Sequence, residues 1–277
     1  MIKLPTVSLD QSVLDALAGF QANVDVFPSF ADRSAKAKTA FKTQNQKGKP
    51  TFDAIKLALT KMCAGARRCV YCEDSVADEV EHIHPKDLYP EKVFVWSNYV
   101  YACGSCNGPK NNQFAVFRTD TGAYQQVNQP KGQLPIEPPP GEAVLINPRT
   151  ENPLNFALLD LTGTFKFVIL KPAGSPGYQR ASYTFDTVLR LNHVEREFLR
   201  QGRQEAYGDY KARLREYIYH RDDRPQAQLD QMIDQLKKKN HPTVWREMQR
   251  QYTMGLVIKF DQDLHDLFDL APEALNW

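Results

Sequence analysis

Four of the five cysteines fall in two Cys-x-x-Cys pairs, Cys69/Cys72 and Cys103/Cys106, with thirty residues between them. Glu81-His82 lies between the pairs, and Asn107 directly follows the second. Two such pairs can bring four thiolates to one tetrahedral zinc, each pair forming a knuckle whose sulfurs point the same way. Four thiolates fill that coordination shell, so this zinc is structural and any chemistry has to lie beside it. Taken alone, the cysteines fit equally well a zinc ribbon or treble clef that grips nucleic acid or protein and catalyses nothing.

The residues around the cysteines add a second, oxygen-rich set. Hydrolysis of a phosphodiester needs a base to take a proton from water and a hard cation to offset charge on the phosphate. His82 suits the base, because imidazole titrates near neutrality. Glu81 and Asn107 offer oxygen ligands of the kind that Mg²⁺ or Mn²⁺ prefers. The second knuckle would set the position of Asn107, and Asn98 can hold the His82 loop through side-chain to backbone hydrogen bonds. On an extended strand, Glu81 and His82 point to opposite faces unless a bulge splays them.

Glu81-His82-Ile83-His84-Pro85, then Trp96-Ser97-Asn98, then the run from Cys103 through Asn107 to Lys110 closely resemble the HNH endonuclease motif in its zinc-stabilised form. That family uses a ββα-metal finger, two strands and a helix around one divalent cation. The resemblance implies His82 as general base, Glu81 and Asn107 as ligands of a catalytic Mg²⁺ or Mn²⁺, and Asn98 as the middle asparagine that steadies the histidine loop. It puts Lys110 near phosphate. Glu81 stands where most members carry Asp, and Asn107 where many carry His. A wider resemblance rests on Leu145–Arg149, Thr184–Asn192 and Ala271–Trp277, and is to the PtuB-like HNH nucleases of bacterial Septu-type anti-phage defence. It implies cleavage of DNA, with RNA not excluded, alongside a PtuA-like partner ATPase.

These residues need a scaffold, and 277 residues with 42% hydrophobic content suffice for a sizeable core. No apolar run is long enough to cross a bilayer, and the first residues lack a signal-peptide core, so a cytoplasmic location is expected, where thiols stay reduced. Cys63, the unpaired cysteine, reads as a small buried apolar residue. Between Arg33 and Arg68 the chain has ten Lys/Arg against one acid, Asp53. That block runs into the first knuckle, and it suggests phosphate contacts beside the site, with Arg67 and Arg68 nearest.

The periodicity predicts an α+β chain, a finger embedded in a predominantly α-helical body. Residues 1–65 form an N-terminal helical lobe, 66–120 the metal module, and 121–277 a hairpin followed by helices. Helices are expected over 8–24, 29–42 and 51–63. Strands are expected near Ile83 and over 99–102, and a helix from Gly104 to about Phe117. Residues 120–142, rich in Gln, Pro and Gly, read as an extended surface loop, and 155–170 as a hairpin about Thr162-Gly163. Helices complete the chain over 184–191, 194–219, 226–239 and 243–252, before an amphipathic acidic tail. His84 is expected at the metal or in the core, and Asp87 and Glu91 in solvent.

Overall fold

A computed structural model of the chain describes residues 1–128, 133 and 135–277. Three helices come first: α1 (Gln11–Asp25), α2 (Phe30–Gln44) and α3 (Pro50–Thr60). Ser29 caps α2 by accepting the Asp32 amide at 3.1 Å, and Pro50 occupies the first turn of α3, where its missing N–H costs nothing. The finger follows as β1 (Glu79–His82), β2 (Tyr99–Ala102) and α4 (Gly104–Lys110). Next come β3 (Ala115–Arg118), β4 (Tyr124–Gln126) and β5 (Gly141–Ala143), in the order β4-β3-β5, and then the hairpin β6 (Ala157–Leu159) and β7 (Phe167–Ile169). The remainder is helical: α5 (Pro176–Ser182), a π-helical turn over Tyr183–Val188, α6 (Glu197–His220), α7 (Gln226–Lys237), α8 (Pro242–Thr253) and α9 (Gln262–Leu270). The class is α+β, as the periodicity predicts. No helix among the described residues is long and apolar enough to cross a membrane.

Two expectations are corrected. The helix from Gly104 stops at Lys110 rather than near Phe117, and Ala115–Arg118 is a strand. Pro109 lies beyond the first turn, and Asn111 turns to φ 37°, so propagation ends there. The freed Val116 and Phe117 then pair with Gln125 and Tyr124, which turns part of the expected surface loop into sheet. Residues 129–132 and 134 of that loop lie outside the described residues. The hairpin at 155–170 forms, with Leu159 paired to Phe167 across its turn.

The N-terminal helices wrap the finger. Phe41 of α2 and Phe52 of α3 pack with their rings 5.5 Å apart, and Phe41 contacts the finger rings of His82 at 4.5 Å and Tyr99 at 6.2 Å. Ser34 of α2 donates to the Asp87 carbonyl at 2.8 Å, and Gln21 of α1 donates to the Pro90 carbonyl at 3.0 Å. The acidic tail docks within the chain, on α6, through Lys211–Asp261 (2.7 Å) and Arg215–Asp263 (2.7 Å).

Candidate active site

Cys69, Cys72, Cys103 and Cys106 are buried, and their sulfurs all lie within 4.8 Å of one another. The Cys72 and Cys103 sulfurs are 3.8 Å apart, about the separation of two ligands on a tetrahedral zinc with Zn–S bonds of ~2.3 Å. Each knuckle is closed by its own backbone: the Glu73 amide returns to the Cys69 carbonyl at 2.8 Å, and the Cys106 and Asn107 amides to the Cys103 carbonyl at 2.9 Å. Hydrogen bonds from Cys103, Cys106 and Cys69 pull the Cys72 thiol far below its ordinary range, whereas burial pushes Cys69 up and the Cys103 hydrogen bond pushes Cys106 up. Arg196 adds a cationic donor, 3.3 Å from the Cys106 sulfur. The four residues fit zinc.

Cys103 is the N-cap residue of α4, and that helix packs against β1. Residues two apart on a strand share a face about 6.7 Å apart, and residues three apart on a helix share one at about 5–6 Å. Glu79 and Glu81 therefore meet Asn107 and Lys110 as two polar rungs. On the outer rung, Asn107 Nδ2 donates to Glu79 Oε2 at 2.6 Å. On the inner rung, the Lys110 ammonium pairs with Glu81 and donates to the His82 carbonyl at 2.7 Å. Burial pushes the Glu81 carboxyl up, and Lys110 and Lys86 oppose that push.

His82 is 4% exposed. Its Nε2 lies 3.0 Å from the Val93 carbonyl, an oxygen that also accepts the Tyr99 hydroxyl at 2.6 Å. A carbonyl can only accept, so Nε2 carries the proton and Nδ1 keeps its lone pair. Burial first, and the Lys86 charge second, push the imidazole down to about 3, so it is neutral at physiological pH. Asn98 staples the following segment: Oδ1 accepts the His84 amide at 2.7 Å, and Nδ2 donates to the His84 and Lys92 carbonyls at 3.0 Å.

Glu81, His82 and Asn107 open onto one cleft of about 440 Å³, which also takes in Asp78, Glu79, Lys56 and Lys86. It runs along the unpaired edge of β1, since the only strand bonded to β1 among the described residues is β2. Side chains of both strand faces reach an edge, which is how the adjacent Glu81 and His82 share the space. Asn45, the C-cap residue of α2, lines the same cleft, and its Oδ1 is buried without a hydrogen-bond partner among the described residues. This donor set, carboxylate and amide oxygens, fits a hard divalent cation.

Other expected residues sit elsewhere. Lys110 has no solvent exposure, so its ammonium meets protein rather than phosphate. Arg67 is exposed but lies over the Tyr101 ring at 5.7 Å, on the sheet face turned from α4. Arg68 binds Asn240 Oδ1 and the Asp74 carbonyl, each at 2.8 Å. Lys110 and Arg68 are thus held by partners within the chain, while Arg67 stays exposed over its ring. His84 packs between Tyr89 and Phe114, and Asp87 is buried against Lys38 and Asn112, both at 2.8 Å, rather than solvated. Glu73-Asp74 turns away to Thr243 and His241. Glu79 is the cleft residue that motif reading passes over, although its period-two relation to Glu81 points to it.

Residues 69–113 match the family model described as HNH endonuclease. The chain is 47% identical over 68 residues to Septu protein PtuB of Bacillus thuringiensis. That stretch is 23% of this chain and 24% of the relative, so the chain spans about a quarter of the curated relative it matches. No solved structure matches significantly. The knuckles, the Glu81-His82 strand and the Asn107 helix all fall inside the matched segment, and the chain therefore carries an HNH endonuclease domain over residues 69–113.

Proposed function

We propose that this chain is a divalent-cation-dependent HNH endonuclease that hydrolyses phosphodiester bonds of DNA, with His82 as general base. The observation that carries the reading is the seating of His82, whose Nε2 is committed to the Val93 carbonyl while the ring lines the cleft that holds Glu81 and Asn107. Its neutral Nδ1 accepts the proton of a water in the cleft, that water attacks phosphorus, and the P–O bond to the departing sugar oxygen breaks, that oxygen taking a proton from solvent. Glu81 and Asn107 are the residues that would hold Mg²⁺ or Mn²⁺, and the bound ion supplies charge neutralisation at the phosphate. Asn98 keeps the 84–92 segment, and with it the Val93 carbonyl, in register. Lys56 and Lys86 at the cleft wall, continuous with the basic α2–α3 surface, draw the polyanionic backbone in. Such contacts are indifferent to base sequence.

The likeness to Septu protein PtuB supports a role in anti-phage defence, with a PtuA-like ATPase as partner. A cytoplasmic site of action suits four reduced thiolates. The test is nicking of supercoiled plasmid with Mg²⁺ or Mn²⁺, by the wild type and by His82→Ala, each with and without the ATPase. The expected loss in His82→Ala is about 10²–10⁴-fold, the usual worth of a general base. Nicking at the wild-type rate by His82→Ala would sink the reading. Mg²⁺-insensitive DNA retention with no nicking in any preparation would favour the zinc-ribbon binding module instead.

A further inference from the structure

The Glu81 carboxylate is already matched by a buried ammonium, that of Lys110. The carboxylate that faces Asn107 is a different one, that of Glu79. We propose that Glu79 is a positioning residue for the cleft, one that takes the Asn107 amide N–H and so aims Asn107 Oδ1 at the cation. The inference rests on the reading of Asn107 as an oxygen ligand.

Its first support is the chemistry of the contact. A carboxylate accepts and cannot donate, so the amide must turn its nitrogen to Glu79, and its oxygen is left for the opposite side. At 2.6 Å the bond is short, as charge-assisted ones are. A free asparagine side chain would instead present oxygen and nitrogen to the cleft in turn, and only one of these ligates a hard cation.

The backbone gives the second support. Glu79 pairs with Ala102, immediately before the Cys103 knuckle, so the zinc site and the strand register together fix the height of Glu79 against α4. Gly104 borders its carboxylate, and even an added Cβ there would stand at ordinary contact, 3.4 Å from Glu79 Oε1. Both Glu79 and Asn107 line the cleft, so the pair stands at the cation's doorstep rather than on a remote surface. Partners that orient a ligand in this way typically govern affinity about 10- to 100-fold.

The experiment titrates the zinc-loaded full chain with Mn²⁺, following free Mn²⁺ by electron paramagnetic resonance, for the wild type, Glu79→Ala, Glu79→Gln, Asn107→Ala and His82→Ala. Zinc content and thermal midpoint are recorded for each. Glu79→Ala is expected to weaken the Asn107-dependent Mn²⁺ site about 10- to 100-fold with zinc content and midpoint unchanged. Glu79→Gln should recover most of the affinity, because its amide oxygen still accepts from Asn107, and His82→Ala should bind Mn²⁺ like the wild type. Wild-type affinity in Glu79→Ala overturns the proposal. Equal weakness of Glu79→Gln and Glu79→Ala also overturns it, because the carboxylate charge would then be a direct ligand. If Asn107→Ala binds Mn²⁺ like the wild type, the cation-site reading itself fails, an outcome distinct from failure of Glu79 alone.

Discussion

A lysine with no solvent exposure persists only where its charge is matched and its N–H groups are taken. Lys110 meets both conditions through Glu81 and the His82 carbonyl, and in doing so it ties the helix to the two residues that the motif singles out. Lys110→Met should strand the Glu81 carboxylate in the interior and cost about 3–5 kcal/mol, read as a drop in denaturant midpoint. The double variant Lys110→Met/Glu81→Gln should regain most of that loss, because no unpaired charge is left. Additive losses in the double variant would show that the ion pair is not what holds Lys110. The motif tells that a basic residue belongs at this position but not what it touches. Surface and interior lysines are identical in sequence, and only the fold decides which of them is desolvated.

The elements of the finger are too small to stand alone. β1 and β2 have four residues each and α4 has seven, below what an isolated hairpin or helix needs in water. Their order must come from the knuckles and from the helices packed over them. Removing zinc with a chelator, or replacing Cys72 with Ser, is expected to free the backbone of residues 69–113 to exchange its amide hydrogens while α6 stays protected. Uniform protection in the metal-free chain would show that packing alone holds the finger. Strand β2 was fully legible, because Tyr99–Ala102 is β-prone and lies directly before a knuckle. The end of α4 was not, because the stop at Asn111 depends on Pro109 together with a strand partner, Tyr124–Gln126, supplied from farther along the chain.

At the scale of the molecule, the buried apolar residues of the N-terminal helices, the finger and the C-terminal helices form one cluster, from Leu17 and Phe52 through Tyr99 to Leu214 and Phe268. The expectation is a single cooperative transition. Phe268→Ala, in the docked tail and fully buried, should cost about 3–5 kcal/mol. It should shift the circular-dichroism and tryptophan-fluorescence midpoints together, since Trp96 packs against the finger and Trp245 against Phe268. Separate midpoints would divide the chain into independent units.

By itself the sequence determined the covalent logic of the site. Cysteine spacing sets the zinc knuckles, a carboxylate precedes an imidazole on a strand, and an asparagine rides the first turn after the last thiolate. These are local relations, carried by periods of two and three residues. The tertiary structure alone decided which charge is spent and which is free. It buried Lys110, turned Arg68 to Asn240, seated Phe41 against His82 and gave Val93 as the carbonyl that fixes the imidazole tautomer. Each of those partners is set by packing between elements rather than by spacing within one. Desolvation and hydrogen bonding act through space, and no local pattern encodes them.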